Sequence, residues 1–410
     1  MVPNGWKSYP LSEVCRKQIS YGIVQTGDDL PNGIPCLRVV DLTKAVMCTS
    51  HMIKTSEEIH YAYKKTILEE GEIVMALRGE VGLVKSIDSS LSGANITRGL
   101  ARISAKTSVV YPEFLLWELR SPKFRSDLMR RVGGSALQEI SLTELRQVRT
   151  LIPPLVEQEK IAKILSTWDK AIITTEQLLA NSQQQKKALI QQLLTGKKRL
   201  LDSDGVRFSG AWIFKKINQI ATRVQRKSDG NEHPILTISS LSGFVRQDER
   251  YNRYMAGESV KNYILLEKSE FAYNKGNSKT YEFGCIFDLD GYETGLVPHV
   301  YVCFRLKAGL SHRYFKYLFE ADYLKPQLGA LVNTGVRNNG LLNIKTDAFM
   351  STQVPVPCIE EQERIADVLH VSSEQISQLQ KKLDCLKTEK QALMQQLLTG
   401  KRRVKVGEAA

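Results

Sequence analysis

Two stretches of the chain carry apolar residues at alternating intervals of four and three. The first runs Ile161, Leu165, Trp168, Ile172, Thr175, Leu179, Ser182, Lys186, Leu189, Leu193. The second runs Ile365, Leu369, Ser372, Ile376, Leu379, Leu383, Leu386, Lys390, Leu393, Leu397. This spacing draws one apolar stripe along an α-helix, with Gln, Lys, Glu and Ser on the other faces. Each stretch opens after proline (Pro153 and Pro154; Pro355 and Pro357) and acidic residues, which are helix-start signals. Each closes at Thr-Gly followed by Lys or Arg. Gly196 and Gly400 are placed for the left-handed residue beyond a helix, and the cations behind them suit its negative end. The pattern predicts two helices of about 40 residues, roughly 60 Å long.

A helix with a single apolar stripe needs a partner in water. Two of them in one register most simply pack on each other, and a connecting block of about 150 residues, a usual domain size, permits an antiparallel pair. The alternative is that each helix packs on its own globular block. The polar positions Ser182, Lys186, Ser372 and Lys390 either tune the register or mark the ends of the seam.

The helical stretches belong to a tandem repeat. Residues 157–162 read Glu-Gln-Glu-Lys-Ile-Ala and residues 361–366 read Glu-Gln-Glu-Arg-Ile-Ala, 204 positions later. Residues 188–197 and 392–401 repeat at the same interval and differ only at Ile190 and Met394. Nothing is inserted or lost between the two matches, as expected of a rigid element whose length matters. Upstream, Trp6, Leu11 and Val14 parallel Trp212, Ile217 and Ile220, and glycine turns at residues 132–134 and 334–336 precede each helix. The resulting organisation is a globular block at residues 1–152, a helix at 153–200, a second block at 201–355 and a second helix at 356–404.

Both blocks mix short strand-like runs (71–77, 100–103, 234–238, 300–306) with amphipathic helical stretches (111–131, 312–331), which predicts an α+β class. Their interiors hardly resemble one another although their boundaries align. A duplicated scaffold with diverged interiors suggests two domains doing one kind of job on different targets.

Charge narrows the job. The chain has 57 Lys+Arg against 44 Asp+Glu, a formal net charge of +13, which favours a polyanionic partner. Basic and hydrogen-bonding residues cluster in expected loops. They are Arg38, Lys44, Arg78, Lys85, Asn95, Arg98 and Arg102 in the first block, and Arg246, Tyr273, Asn274, Lys275, Asn277, Ser278, Lys279, Tyr281, Arg337 and Asn338 in the second. Arg and Lys reach guanine edges, Asn reaches adenine edges, and Ser, Tyr and Lys commonly hold phosphates. Residues 273–281 combine aromatic, lysine, asparagine and glycine residues and stand out as nucleic-acid chemistry; for any single residue the alternative is a solvated loop. The seven scattered cysteines contain no Cys-x-x-Cys, so neither a disulfide framework nor a structural zinc is expected, and a reducing cytoplasm fits. No signal peptide and no membrane span is expected, and the Asn95-Ile96-Thr97 sequon is then chance.

Catalytic motifs were sought. Residues 276–280 share the Lys-Thr tail of a phosphate-binding loop but lack its paired glycines. No Asn-Pro-Pro-aromatic signature of adenine methylation, nuclease carboxylate cluster, His-Glu-x-x-His or Gly-x-Ser-x-Gly is found, and the six histidines are dispersed. A binder without catalytic residues or bound metal is expected.

The duplicated Glu-Gln-Glu-x-Ile-Ala start and Gln-Gln-Leu-Leu-Thr-Gly-Lys end resemble the specificity subunit of type I restriction–modification enzymes, over essentially the whole chain. The resemblance implies two target-recognition domains joined by an antiparallel coiled-coil spacer. It implies double-stranded DNA as ligand, with two modification subunits and restriction (motor-nuclease) subunits as partners. S-adenosylmethionine, ATP and Mg would then act only on those partners. It also implies two short half-sites, read by domains related by a pseudo-twofold, with a gap set by helix length. Two other readings stay open: a single-chain nuclease–methylase, which needs catalytic motifs, and a coiled-coil adaptor with no DNA role.

Overall fold

The computed structural model describes residues 2–134, 138–250, 258–276, 278–332 and 342–405. It divides into two compact units: Met1–Gln177 together with Lys381–Ala410, and Leu178–Gln380. The two long helices run Leu155–Leu193 and Ile359–Leu397, 39 residues each, and each helix gives residues to both units.

In the first unit, strand β1 (Lys7–Pro10) pairs antiparallel with β9 (Arg149–Ile152), which fixes the start of the chain beside the start of the first long helix. A four-stranded antiparallel sheet has the order β2 (Ser20–Tyr21), β8 (Leu100–Ile103), β5 (Ile73–Ala76), β6 (Val84–Ser86). Beside it, β3 (Ile34–Leu37) pairs antiparallel with β4 (Ile53–Thr55) and parallel with β7 (Asn95–Ile96). All four residues of β5 are buried, because the strand has a core on each face. Ile73 and Met75 enter one cluster with Trp6, Phe114, Trp117 and Ile161; Val74 and Ala76 enter another with Leu37, Leu42 and Ile96. Side chains alternate faces along a strand, so a strand covered on both sides reads as one apolar run.

The expected helix over 111–131 is two helices, Pro112–Arg120 and Pro122–Arg130. Ser121 caps the second through its hydroxyl, and Pro122 sits at the first helical position, where it cannot continue the preceding helix.

The second unit has a four-stranded antiparallel sheet of order β11 (Ala221–Arg223), β18 (Val302–Leu306), β15 (Phe271–Asn274), β16 (Cys285–Asp288). Three antiparallel pairs accompany it: β10 (Ile213–Lys216) with β19 (Gln353–Val356), β12 (Leu236–Ser239) with β13 (Gly243–Arg246), and β14 (Ile264–Glu267) with β17 (Thr294–Val297). The expected helix over 312–331 divides into His312–Glu320 and Lys325–Leu331, where Asp322 adopts a left-handed conformation (φ 57°) that ends the first helix. The glycine turn expected at 334–336 lies outside the described residues.

Both the pairing of the helices and their packing on globular blocks occur. In the first unit, Ile161 and Leu165 of the first helix and Leu397 and Leu398 of the second share one core with Phe114 and Trp117. In the second unit, Leu193 and Leu194 of the first helix join Ile365, Ala366 and Leu369 of the second in a core with Tyr314, Phe315 and Phe349. The start of each helix thus lies against the end of the other, which is the antiparallel arrangement. The stripe is lined at least to half-burial along its length. Ile172, Leu179 and Leu383 are buried, while Trp168, Leu189, Ile376, Leu379, Leu386 and Leu393 are half-buried. Of its polar members, Ser182 and Thr175 are buried, and Lys390 forms an ion pair with Asp169 and lies 4.8 Å from the Trp117 ring centroid. Among the described residues, no helix is long and apolar enough to cross a membrane.

Glu118 lies in the first block. It is buried, one oxygen accepts the Leu151 amide at 2.8 Å and the other has no partner. Burial pushes its carboxyl up to about 8. An acid raised above its unfolded value holds an extra proton in the folded state, so stability falls as pH rises from the ordinary carboxylate range to about 8 and is lowest above it. Glu118→Gln is therefore expected to flatten that fall, with a gain on the order of a few kcal/mol at pH 9 and little change at pH 5. Denaturant unfolding at the two pH values checks this; parallel profiles for variant and wild type would contradict it.

Candidate nucleic-acid interface

Five of the first block's seven candidate residues come together. Arg38 is the residue before the short helix Val39–Leu42, whose Asp41 carboxylate receives Arg38 Nε at 3.2 Å and Lys44 Nζ at 3.2 Å. Burial opposes the charge on Asp41, but the hydrogen bonds from Arg38 and Lys44 outweigh it and hold the carboxyl below its ordinary range. Lys85 of β6 donates to the Lys44 carbonyl at 3.2 Å. Gly99 lies where a Cβ would meet Val39 Cγ2 at 3.1 Å and Arg78 Cγ at 3.5 Å, so Arg78 and the neighbouring Arg98 border the same helix. Arg78 donates to Glu139 at 2.7 Å and Arg98 is exposed. Five cations against Asp41 and Glu139 leave a ledge of net positive charge, the chemistry that meets phosphates.

The other two candidates in this block are structural. Asn95 is fully buried in β7, where its side chain contacts Thr66, His60 and Tyr63. Arg102 is 5% exposed in the middle strand of the sheet, 3.9 Å from Glu72. A buried polar group must be satisfied by neighbours, and Asn95 is spent on that; Arg102 is shut away from solvent beside Glu72, with its Nε making no hydrogen bond.

In the second block, residues 273–281 are corrected similarly. Tyr273 is fully buried, stacked on Phe349 with centroids 4.4 Å apart, and donates its hydroxyl to the Phe283 carbonyl at 2.7 Å. Tyr281 is 8% exposed and donates to the Glu320 carbonyl at 2.9 Å; burial, chiefly, raises its phenol to about 12. Both rings belong to the core, so no base can stack on them. Asn274 accepts the Gly276 amide at 2.9 Å, Ser278 bridges to Tyr281, and Lys275 is held through its carbonyl by the Leu342 amide. These three are half-buried and shape the loop, while Lys279 is exposed. Arg246 of β13 is exposed and paired with Asp248 at 2.7 Å. Asn277, Arg337 and Asn338 lie outside the described residues. Among the described residues, no group of three or more His, Cys, Asp or Glu could hold a metal ion.

The repeated Glu-Gln-Glu segment has a function that spacing did not disclose. Glu157 is 1% exposed; it accepts Trp6 Nε1 at 3.3 Å and both Arg403 Nε and Nη2 at 2.7 Å. Glu361 is also 1% exposed and accepts Trp212 Nε1 at 2.9 Å, with Arg199 Nε at 2.6 Å and Nη2 at 2.7 Å. Each arginine caps its tryptophan ring, 5.9 Å and 5.5 Å from the centroid, and is held more strongly protonated by its glutamate hydrogen bonds. The glutamines behave alike. Gln158 accepts the Tyr111 amide and donates to the Pro153 carbonyl; Gln362 accepts the Ser311 amide and donates to the Pro357 carbonyl. Gly196 and Gly400 take φ 70° and 69°, as expected. The arginines beyond them do more than complement a helix end: they bridge to the opposite helix's first turn. The repeated Lys-Lys-Arg and Lys-Arg-Arg after each glycine were the available signal.

Comparisons with known proteins place this arrangement. Residues 3–182 match the type I restriction modification DNA specificity domain. The chain is 28% identical over 165 residues to the type I restriction enzyme EcoBI specificity subunit of Escherichia coli, a match covering 40% of this chain and 35% of that one. It is 26% identical over 318 residues to the putative type I restriction enzyme MjaX specificity subunit of Methanocaldococcus jannaschii, covering 72% of this chain and 69% of that one. In fold it is similar to the crystal structure of the type I restriction–modification S subunit from M. genitalium, with TM-score 0.57, 12% identity and coverage of 97% and 96%. The chain has an α+β fold of the S-subunit kind. Over residues 3–182 the chain is similar to type I restriction–modification specificity subunits, and it spans about a third of the length of the Escherichia coli relative.

The closures should be load-carrying. Arg403→Ala or Arg199→Ala leaves a buried carboxylate facing only an indole N–H. Removing one partner of a buried pair costs several kcal/mol, and with half-exposed Arg403 about 2 kcal/mol is expected. Adding Glu157→Gln to Arg403→Ala should recover part of it, since the amide still accepts from Trp6 without a charge. Unfolding midpoints check the series; a double variant no more stable than the single would contradict it.

Proposed function

We propose that this chain is the sequence-reading subunit of a type I restriction–modification complex, bound to double-stranded DNA and without a reaction of its own. The observation that carries this reading is the DNA specificity domain at residues 3–182. The cationic ledge of Arg38, Lys44, Arg78, Lys85 and Arg98 within that span and the net charge of +13 support it. Each block reads one short half-site, and because the blocks differ in sequence the target is asymmetric and bipartite. The two helices, both 39 residues, set the unread gap. Two modification subunits join the chain and transfer methyl groups from S-adenosylmethionine to adenine N6; restriction subunits use ATP and Mg to cut unmodified DNA. Adenine N6 is reached only when the base leaves the stack, so the assembled complex distorts the duplex. Such a complex works in the cytoplasm.

The test is a genome-wide map of N6-methyladenine in cells holding the chain and its modification subunit, beside cells lacking the chain. A bipartite motif that disappears with the chain is expected; an unchanged map with an active partner would overturn the reading. Inserting one or two turns into both helices should widen the gap and leave both half-sites unchanged, and an unaltered gap would refute the ruler. Replacing Arg78 and Arg98 with alanine should weaken DNA binding of the complex and make log Kd less steep in log salt, measured by fluorescence anisotropy; an unchanged slope would remove the ledge from the interface.

A further inference from the structure

The two blocks differ in sequence but share an interior frame. Glu72 and Glu270 are both buried, and each follows a left-handed residue (Gly71, φ 81°; Ser269, φ 67°). Each accepts the amide three residues before it, from Glu69 at 3.0 Å and from Glu267 at 2.9 Å. Each immediately precedes an inner strand of its block's four-stranded sheet, β5 in the first and β15 in the second. Beside that sheet, Leu37 of β3 pairs parallel with Ile96, and Ile235, the residue before β12, pairs parallel with Leu296. Strand β3 returns antiparallel as β4, and β12 as β13. The β3–β4 and β12–β13 connections therefore hold the same place in their blocks.

These connections carry the least covered apolar groups. Among the described residues, the two most exposed large apolar side chains are Leu241, 84% exposed, and Val46, 77% exposed. Val46 lies in the β3–β4 connection at residues 38–52, and Leu241 is the middle residue of the β12–β13 connection at 240–242. Single exposed apolar residues are ordinary; two extremes at one point of a frame built twice are not. The surroundings suit a polyanion. Arg38 and Lys44 share the first connection with Val46, Thr43 and Ala45 beside it are exposed, and Lys85 donates to the Lys44 carbonyl at 3.2 Å. In the second, Ser242 beside Leu241 is exposed, and exposed Arg250 donates to the Ile238 carbonyl at 2.7 Å. Asp248 nearby is matched by Arg246 at 2.7 Å.

We infer that Val46 and Leu241 are base-reading residues, each set against the 5-methyl group of a thymine in the major groove of its own half-site. Contacts to phosphates position a protein without telling base pairs apart, whereas an apolar tip discriminates, because thymine alone of the four bases presents a methyl group in that groove. The connections differ in length and sequence while the frame beneath them corresponds. Two readers of different half-sites require that difference; two contacts to one shared protein partner do not. The inference rests on the DNA-reading role proposed above and adds which points of the blocks touch bases and by what chemistry.

The test uses the full chain assembled with its modification subunit, and a duplex carrying the target found in the methylation map. Each thymine is replaced in turn by deoxyuridine, which removes only the methyl group, and Kd is measured by competition fluorescence anisotropy. A loss of about fourfold, the worth of burying one methyl group, is expected at one thymine of each half-site. Val46→Ser should abolish the loss in one half-site and Leu241→Ser in the other, with unfolding midpoints unchanged because both side chains are exposed. No loss at any thymine, or losses that persist in the serine variants, would overturn the inference while the chain still binds its target. Variants that lose DNA only because they hold the modification subunit more weakly would assign the two residues to a protein contact and overturn it as well. If the unaltered complex does not distinguish the target from a scrambled duplex, the DNA-reading role itself fails.

Discussion

The structure depends on two buried carboxylates. Glu157 and Glu361 sit in the first turns of the long helices, where a negative charge is favoured by the helix dipole but penalised by burial. Each is made tolerable by a bidentate arginine and an indole N–H. In the first unit these come from opposite ends of the chain, and Arg403 also donates to the Asn4 carbonyl at 2.8 Å. A closure of this kind works only if the arginine, which lies beyond the end of one helix, reaches the first turn of the other. That condition fixes the antiparallel register and the helix length together. It accounts for two helices of equal length and an interval kept to the residue.

The helices, their ends and the α+β class were legible in the sequence because they follow from periodicity and from glycine and proline chemistry. The breaks at Ser121–Pro122 and Asp322 were less so: amphipathic spacing continues across them, and only the proline or a left-handed residue stops the helix. The candidate interface was half legible. Arginine and lysine positions on loops could be guessed from composition, and five of them do gather around Asp41 and Gly99. Asn95, Arg102, Tyr273 and Tyr281 have the same side-chain chemistry as contact residues, and sequence cannot tell a hydrogen bond to DNA from one that satisfies a core. The closures were illegible for a related reason. Trp6, Glu157 and Arg403 are far apart in sequence, and only their recurrence as Trp212, Glu361 and Arg199 hinted that they act together.

The duplicated parts and the diverged parts divide the labour. What repeats is what holds the helices: glutamate, glutamine, leucine pairs, glycine and arginine. What differs lies within the two blocks. The block cores differ in composition as well. Tyr273, Phe304 and Phe349 fill the second block with aromatic rings in contact, Tyr273 stacked on Phe349 and Phe304 tilted against it, whereas the first uses aliphatic residues around Phe114 and Trp117.

The central claim is that each block reads its own half of the target on a shared scaffold. It is tested most directly by replacing residues 205–350 with the corresponding block of a type I specificity subunit of known target, keeping both long helices, and mapping N6-methyladenine across the genome. The account predicts that one half of the motif changes to the donor's half while the other half and the gap stay as they were. A motif altered in both halves, or in neither while methylation persists, would contradict it.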